Sequence, residues 1–256
     1  MIIFIYDKTF EGLLTALFEA YSRRSFHNLL LGEKDPLPLF CDEVFTVYTD
    51  QLKADRVWKG LERRLRKSSL SALAETWLSE AEGVDMLLFR YMRKAIDALS
   101  SIEYNLGDSD VIEVVKLWKK VHNECHRSIQ FFRFQKALDG TYFAALSPLY
   151  NVLPLIVSYA LDRFADQRWL LYDLSRGYGF YHEVDACEVS EVSFKDEDSL
   201  PFDGLLSKEI MDKDELLFQH LWQEYFHAIA IKDRLNPKLH KQNMPARFWK
   251  YMPEKY

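Results

Sequence analysis

The runs of residues that favour β-strands fall into two groups, separated by a long stretch with helical periodicity. The first group contains Ile2–Tyr6, an apolar run that ends at Asp7, and residues 44–48, with the sequence VFTVY. The second group lies between residues 141 and 194. With the helices predicted below, these strands predict an α+β fold, in which helices pack around a mixed β-sheet.

Two short polar residues mark the starts of helices near the beginning of the chain. Thr9 stands at an N-cap position before a helix predicted to end at about Arg24. Asp50 stands at the same position before a helix predicted to end at about Arg66. Together with the first two strands, these helices predict the order β-α-β-α.

A proline-containing loop separates these elements and helps to define the domains. Residues 26–40 contain two prolines, which cannot continue a regular helix, and are predicted as a loop. We therefore predict an N-terminal β-α-β-α region over residues 1–80. Residues 81–256 are predicted to form an α+β core with a basic, aromatic C-terminal tail, either separate from the first region or continuous with it.

The middle and second half of the chain have clear helix breaks. Two helices broken near Gly83 are predicted, followed by one long helix over residues 110–138 and another that starts at Pro154. Four strands are predicted over residues 141–146, 168–174, 179–184 and 188–194.

The last long helix is predicted over residues 212–234, after an acidic surface loop at residues 195–208. Its apolar residues recur at helical spacing and predict one buried face. These residues are Phe218, Leu221, Trp222, Tyr225, Ile229 and Ile231.

Charge and cysteine content limit the classes of function. The net charge is −6, so any nucleic-acid binding must use a local basic surface. Three cysteines, Cys41, Cys125 and Cys187, are widely spaced and form no metal-binding or disulfide pattern. With no expected leader and no membrane span, these features predict a cytoplasmic protein that does not bind membranes.

Histidine spacing suggests two metal sites, and neither is preferred. His122 and His126 lie four residues apart on one predicted helix, and His220, Glu224 and His227 share a face of another. Structural or solvent-exposed roles explain both sets more simply. The chain has no glycine-rich phosphate-binding motif and no three-cysteine cluster, so we predict no metal and no cofactor.

Residues 126–182 form the densest patch of aromatic and arginine residues, with aspartates between them. Two interpretations stay open: an internal Arg–Asp network, or a surface on which arginines bind phosphates and rings stack on bases. The tail allows the same alternatives, since it could also be clamped onto its own domain. The candidate phosphate-binding residues are Arg127, Arg133, Arg163, Arg176, Arg247 and Lys250, and the candidate stacking residues are Tyr142, Trp169, Tyr178 and Trp249.

A second basic run lies on the helix predicted after Asp50. A solvated helix face is the simpler interpretation of such a run, and a phosphate-facing stripe is the alternative. The run contains Lys53, Arg56, Lys59, Arg63, Arg64, Arg66 and Lys67.

Six segments spread along the chain carry a family resemblance: FIYDKTFEGLLTALFEAY, HRSIQFFRF, DGTYFAALSPLYNVLPLI, RFADQRWLLYD, RGYGFYH and LWQEYFHAIAIKDRLNPKLHKQNMPARFWKYMPE. In these segments the chain resembles a bacterial family of DNA metabolism proteins of unknown mechanism. Members of that family accompany a radical-SAM protein, and a related domain is fused to uracil-DNA-glycosylase-like modules. The resemblance implies a role in DNA repair or modification beside a radical-SAM partner, and it assigns no catalytic residue.

Three hypotheses follow from these observations. The first is a DNA-binding component, with single-stranded DNA as one possible ligand. The second is an enzyme that acts on a nucleobase or phosphodiester and uses Asp139, Asp166 or Asp173 as a general base or metal ligand. The third is a non-catalytic scaffold that docks the partner enzyme.

Overall fold

The computed structural model describes residues 2–26, 28–184, 186, 188–194 and 204–255. Its helices and mixed sheets confirm the predicted α+β class. The chain divides into two compact units, Met1–His122 and Asn123–Tyr256, and the predicted boundary after residue 80 lies within the first of them. Part of the predicted acidic loop, residues 195–203, and Cys187 lie outside the described residues.

The N-terminal unit contains a parallel sheet of three strands in the order β2-β1-β3. The strands are β1 (Ile2–Tyr6), β2 (Asn28–Gly32) and β3 (Glu43–Thr46). The predicted loop over residues 26–40 was therefore wrong in part, because it contains β2. The prolines that suggested the loop come only after this strand has ended.

Five helices begin in the N-terminal unit, and local signals set several of their ends. They are α1 (Phe10–Ser22), α2 (Gln51–Glu62), α3 (Lys67–Trp77), α4 (Val84–Asp97) and α5 (Ser109–Phe131). Thr9 and Asp50 are N-caps as predicted: Thr9 Oγ1 accepts from the Gly12 amide, and the Asp50 side chain accepts from the Lys53 amide. Gly83, with φ of 74°, precedes α4 in the left-handed conformation.

The core of this unit forms where these helices cover the sheet. Phe4 from β1, Leu13 and Leu17 from α1, Leu73 from α3 and Leu88 from α4 are almost completely inaccessible to solvent. Because α3 and α4 contribute to the same core as β1, both helices belong to this unit.

The C-terminal unit contains a five-stranded mixed sheet in the order β4-β5-β6-β7-β8. The strands are β4 (Gln135–Lys136), β5 (Tyr142–Leu146), β6 (Trp169–Asp173), β7 (Tyr178–His182) and β8 (Ser190–Val192). β5 and β6 are parallel and are connected by α6 (Leu153–Arg163), while every other pair is antiparallel. The four predicted strands are thus confirmed, with small shifts at their ends.

The long helix α5 ends at Phe131, seven residues before the predicted end. Gln135 and Lys136 instead pair with β5 as strand β4. The Gln135 side chain is buried and accepts a hydrogen bond from the Leu206 amide at 2.9 Å. A buried amide side chain needs such partners, which only the extended conformation of this segment provides.

After β8 the chain is mainly helical. A short 3-10 helix, Lys232–Arg234, lies between α7 (Glu215–Ile229) and α8 (Pro237–Asn243). Two more 3-10 helices, Ala246–Tyr251 and Pro253–Lys255, follow α8. Phe248 and Met252 are buried against the unit, and the Phe248 ring lies 5.2 Å from that of Phe131. No helix in the described part of the chain is both long enough and apolar enough to span a membrane.

Candidate nucleic-acid site

Arg133, predicted to bind phosphate, is committed to contacts within the C-terminal unit. Its Nε and Nη2 donate to Glu254 Oε1 at 3.1 and 2.7 Å. Its Nη1 donates to the backbone carbonyls of Gln130 and Phe132. Glu254 is buried, so the pair replaces the hydration that its carboxylate has lost. Phosphate binding by Arg133 would require the guanidinium group to leave this carboxylate.

Arg247 and Arg176 show the same arrangement. Arg247 forms a short ion pair with the buried carboxylate of Glu124, which also accepts from the Leu149 amide at 3.0 Å. Arg176 Nη1 lies 2.9 Å from Oδ2 of the fully buried Asp173. For these three arginines, the structure agrees with the internal-network interpretation, in which cations pair with buried carboxylates.

The other three predicted phosphate-binding cations lie nearer to solvent. Arg127 is half-buried at the end of α5, and neither it nor Arg163 forms an ion pair with any residue that the structure describes. Arg163 is exposed, with its guanidinium 5.7 Å from the Phe164 ring centroid. Lys250 is exposed, with its Nζ 4.6 Å from the Tyr251 ring centroid.

Two of the predicted stacking residues, Trp169 and Tyr178, are partly or completely buried. Trp169 is completely buried and its ring stacks on that of His182 at 5.2 Å, so neither face is open to a base. A stacking role for Trp169 is therefore corrected to a core role. Tyr178 is half-buried, and its hydroxyl donates a short hydrogen bond to the Asn151 side chain.

Trp249 belongs to a tail that is clamped onto its own unit. Its indole Nε1 donates to the carbonyl of Met244 at 3.0 Å, and Lys255 Nζ lies 5.5 Å from its ring centroid. Between the two alternatives for the tail, the structure favours the clamped one, because the neighbouring Phe248 is anchored in the core.

The three candidate catalytic aspartates lie at opposite ends of the parallel strands β5 and β6. Asp139 and Asp166 come before these strands, whereas Asp173 ends β6. The length of a five-residue strand, about 13 Å, separates the two ends. Asp139 accepts from the Thr141 amide and hydroxyl and so stabilises the β4–β5 turn, while Asp166 is exposed. The structure therefore does not bring the three carboxylates into one site.

Asp173 has the environment of a structural carboxylate. Burial raises its pKa above the usual value, and the hydrogen bond and charge of Arg176 partly offset that effect. Its Oδ1 accepts from the amides of Ser175 and Arg176, which fixes the turn between β6 and β7. These contacts stabilise the β6–β7 turn and the ion pair with Arg176.

The histidine sets do not form metal sites. His122 Nδ1 lies 3.2 Å from Glu75 Oε2, which also accepts from the Trp118 indole. His220 and His227 are exposed on α7. Within the described ranges, no three His, Cys, Asp or Glu side chains lie close enough together to hold a metal ion.

A cavity of about 540 Å³ in the C-terminal unit brings together rings that are distant in sequence. Tyr142 is the one predicted stacking residue on its wall, and Arg133 is the one predicted cation. Sequence reasoning missed its other aromatic walls. The lining residues are Arg133, Phe134, Lys136, Tyr142, Glu215, Phe218, Gln219, Trp222 and Pro253.

Two rings of α7 line this cavity and are open to solvent. Phe218 is 63% exposed and Trp222 is 42% exposed, and the Trp222 ring stacks on Tyr225 at 5.6 Å. On the opposite wall, the Phe134 ring lies edge-on to Tyr142 at 6.2 Å. The sequence pattern predicted that this apolar face is buried, and this was wrong: all six residues assigned to it, Phe218 and Trp222 included, are exposed.

The polar groups of the cavity are largely paired with each other. Glu215 accepts from the Lys136 amide at 3.1 Å and from the Gln219 side chain at 2.9 Å. Lys136 Nζ lies 3.4 Å from Asp212, and Arg133 is held by Glu254. The cavity is therefore aromatic and close to electrically neutral, which suits a planar ring better than a phosphate group.

Five further apolar residues of α7 are also exposed. At 3.6 residues per turn, all of them except Leu216 lie with Phe218 and Trp222 in one arc of about 140°, so the helix has one apolar face and that face is not buried. The five residues are Leu216, Leu217, Leu221, Tyr225 and Ile229, each between 49% and 56% exposed.

The two units together define an α+β protein with an aromatic cavity in its C-terminal part. The chain belongs to the protein family DUF4130, described as a domain of unknown function, whose model matches residues 82–254. The matched segment contains every residue that lines the cavity. No curated protein and no solved structure matches the chain.

Proposed function

We propose that this protein is a DNA-binding component of a DNA repair or modification system, and that it holds one unpaired base of single-stranded DNA in the aromatic cavity. In line with the family resemblance, it works in the cytoplasm beside a radical-SAM protein. The observation that supports the proposal most strongly is the pair of solvent-exposed rings, Phe218 and Trp222, on the wall of a cavity that Tyr142 also lines.

The cavity has the size and composition that a nucleobase requires. Its volume of about 540 Å³ is within the usual range for small-ligand pockets. Every base has an aromatic face, so stacking on Trp222 would be tolerant of sequence. The amide of Gln219 is fixed by Glu215 and supplies a polar group at the wall. These features favour recognition of an unpaired ring, because a base within a duplex is already stacked on its neighbours.

The affinity of oligo(dT) and its abasic counterpart tests this proposal. Trp222→Ala should weaken binding of the oligonucleotide by about 5- to 150-fold, the equivalent of one lost stacking interaction of about 1–3 kcal/mol. Leu221→Ala is the matched control, since Leu221 is exposed on the same helix and does not line the cavity.

The abasic strand separates the two sources of affinity. It should bind the wild type and Trp222→Ala equally, because it offers no ring to either. Equal affinity of the wild type for oligo(dT) and the abasic strand would contradict the proposal, as would an unchanged affinity of Trp222→Ala for oligo(dT).

A second candidate function is the docking of a partner protein by α7. The exposed apolar face of this helix favours it, since such a face is usually covered in a stable complex. The radical-SAM partner implied by the resemblance is the candidate. Leu217→Lys and Leu221→Lys should abolish co-purification of the two proteins, while Leu52→Lys, at an exposed position on α2, should not. Retention of the partner by both α7 variants would contradict this role.

A further inference from the structure

The structure leaves a group of cations, on α2 and between its end and the start of α3, without acidic partners. Arg56, Lys59, Arg63, Arg64 and Lys67 are exposed, and none of them forms an ion pair with another residue in the described part of the chain. Two cations of the same run are used internally. Lys53 lies 2.7 Å from Glu19, and Arg66 is held by Glu103 and Tyr104.

Three of the unpaired cations share one face of the helix. Arg56, Lys59 and Arg63 are spaced by three and four residues, which places their side chains on one stripe. The stripe is about 10 Å long at a rise of 1.5 Å per residue. About three successive phosphates of a strand with duplex-like spacing occupy the same length.

The acidic residues of α2 offset the charge of this stripe only in part. Asp55 lies four residues before Lys59 and Glu62 three residues after it, but neither carboxylate forms an ion pair with the three cations in the described part of the chain. Asp55 instead accepts a hydrogen bond from Gln51 at 2.8 Å. The stripe therefore remains cationic on a protein whose net charge is −6.

We infer that the stripe formed by Arg56, Lys59 and Arg63, which we name the α2 stripe, binds the phosphate backbone of single-stranded DNA. This inference rests on the proposed function for the nature of the ligand. It places phosphate contacts in the N-terminal unit, in addition to any made by the exposed cations of the C-terminal unit. Three of the other candidates, Arg133, Arg176 and Arg247, already pair with buried carboxylates. Two arginines suit this role because the planar guanidinium group matches phosphate geometry.

The salt dependence of oligonucleotide affinity tests the inference. Each phosphate contact to a single strand contributes about −0.7 to the slope of log K against log salt concentration. The triple variant Arg56→Gln, Lys59→Gln and Arg63→Gln should reduce the slope by about 2. Affinity at about 0.1 M salt should fall by about 100-fold. Glutamine is a good helix former, so α2 should persist in the variant.

A matched control exists on α5. Lys116, Lys119 and Lys120 are also exposed and share a helix face in the same unit, so Lys116→Gln, Lys119→Gln and Lys120→Gln removes the same charge. This control should change the slope by less than about 0.7, the value of one contact. Should the α2 triple variant unfold, Arg63→Gln alone, at the end of α2, should reduce the slope by about 0.7.

The outcomes separate the inference from the proposed function. A slope that is reduced by about 2 in the α2 triple variant, with both oligo(dT) and the abasic strand, supports phosphate binding by the α2 stripe. A wild type that binds DNA while the α2 variant keeps the full slope overturns the stripe alone. An equal loss in the α5 control also overturns it, because only the net charge would then matter. A wild type that binds neither strand at low salt overturns both proposals.

Discussion

Arg133 and Glu254 are separated by 121 residues in the sequence and form an ion pair of 2.7 Å that attaches the C-terminal tail to the end of α5. The Glu254 carboxylate is buried, and Arg133 is its ion-pair partner, with a further electrostatic contribution from Lys255. The same contact places Arg133 on the wall of the aromatic cavity, where its charge is already compensated.

Arg133→Ala should therefore destabilise the protein by about 3 kcal/mol, because it leaves an uncompensated buried carboxylate. Urea unfolding at neutral pH measures the change. Arg168→Ala is the control, since Arg168 pairs with Glu183 at the surface and its loss should destabilise the protein much less than the loss of Arg133. A loss for Arg133→Ala no larger than that of the control would show that the pair does not stabilise the fold.

Two glycines should respond in opposite ways to alanine. At Gly179 a Cβ would lie 2.5 Å from the Leu171 carbonyl oxygen and 2.6 Å from the Tyr172 ring, so Gly179→Ala must displace the β6–β7 pair. Gly60 lies within α2 and a Cβ there meets no atom within 4 Å. Gly60→Ala should stabilise the protein by about 1 kcal/mol through helix propensity.

Thermal unfolding of both variants checks this contrast. Gly179→Ala should lower Tm or prevent folding, and Gly60→Ala should raise Tm by a few degrees. A Tm for Gly179→Ala at or above that of the wild type would contradict the close strand packing in the C-terminal sheet.

Asp108 gives a prediction about pH. The hydrogen bond from Lys94 lowers the pKa of Asp108 below its ordinary value of 3.8, with help from the amides of Val111 and Asp110. A carboxylate whose pKa is lower in the folded state stabilises the fold above the unfolded pKa. That stabilisation is lost as pH falls through the folded pKa.

Asp108→Asn keeps an acceptor for the first turn of α5 but removes the charge. The variant should be less stable than the wild type by about 1 kcal/mol at pH 6, and the difference should shrink as pH falls below about 3.8. Urea unfolding of both proteins at pH 6 and at a pH below about 3.8 measures this difference in stability. A difference that is the same at both pH values would mean that the charge of Asp108 does not contribute.

Local sequence signals predicted much of the fold. Thr9, Asp50, Gly83 and Pro154 each act within a few residues of themselves, and each marks a helix start as expected. The end of α5 was not predictable in this way. The apolar period continues past Phe131, and only pairing with β5 makes the extended conformation of Gln135 favourable.

The candidate site was predictable only in part, for a related reason. Arg133 and Arg247 have acidic partners 121 and 123 residues away, so sequence could not distinguish an internal network from a phosphate-binding surface. Tyr142 was predicted and lines the cavity. Phe218 and Trp222 were assigned to the core because an apolar helical period cannot show whether the fold supplies a surface to cover it.

Cross-linking tests the central claim, that an unpaired base occupies the cavity, most directly. A single-stranded oligonucleotide with one 5-iodouracil base is irradiated in complex with the protein, and the modified peptides are identified by mass spectrometry. The account predicts cross-links to Trp222, Phe218 or Tyr142, and their loss in Trp222→Ala at equal occupancy. A bound strand that cross-links only to residues outside the cavity would contradict it.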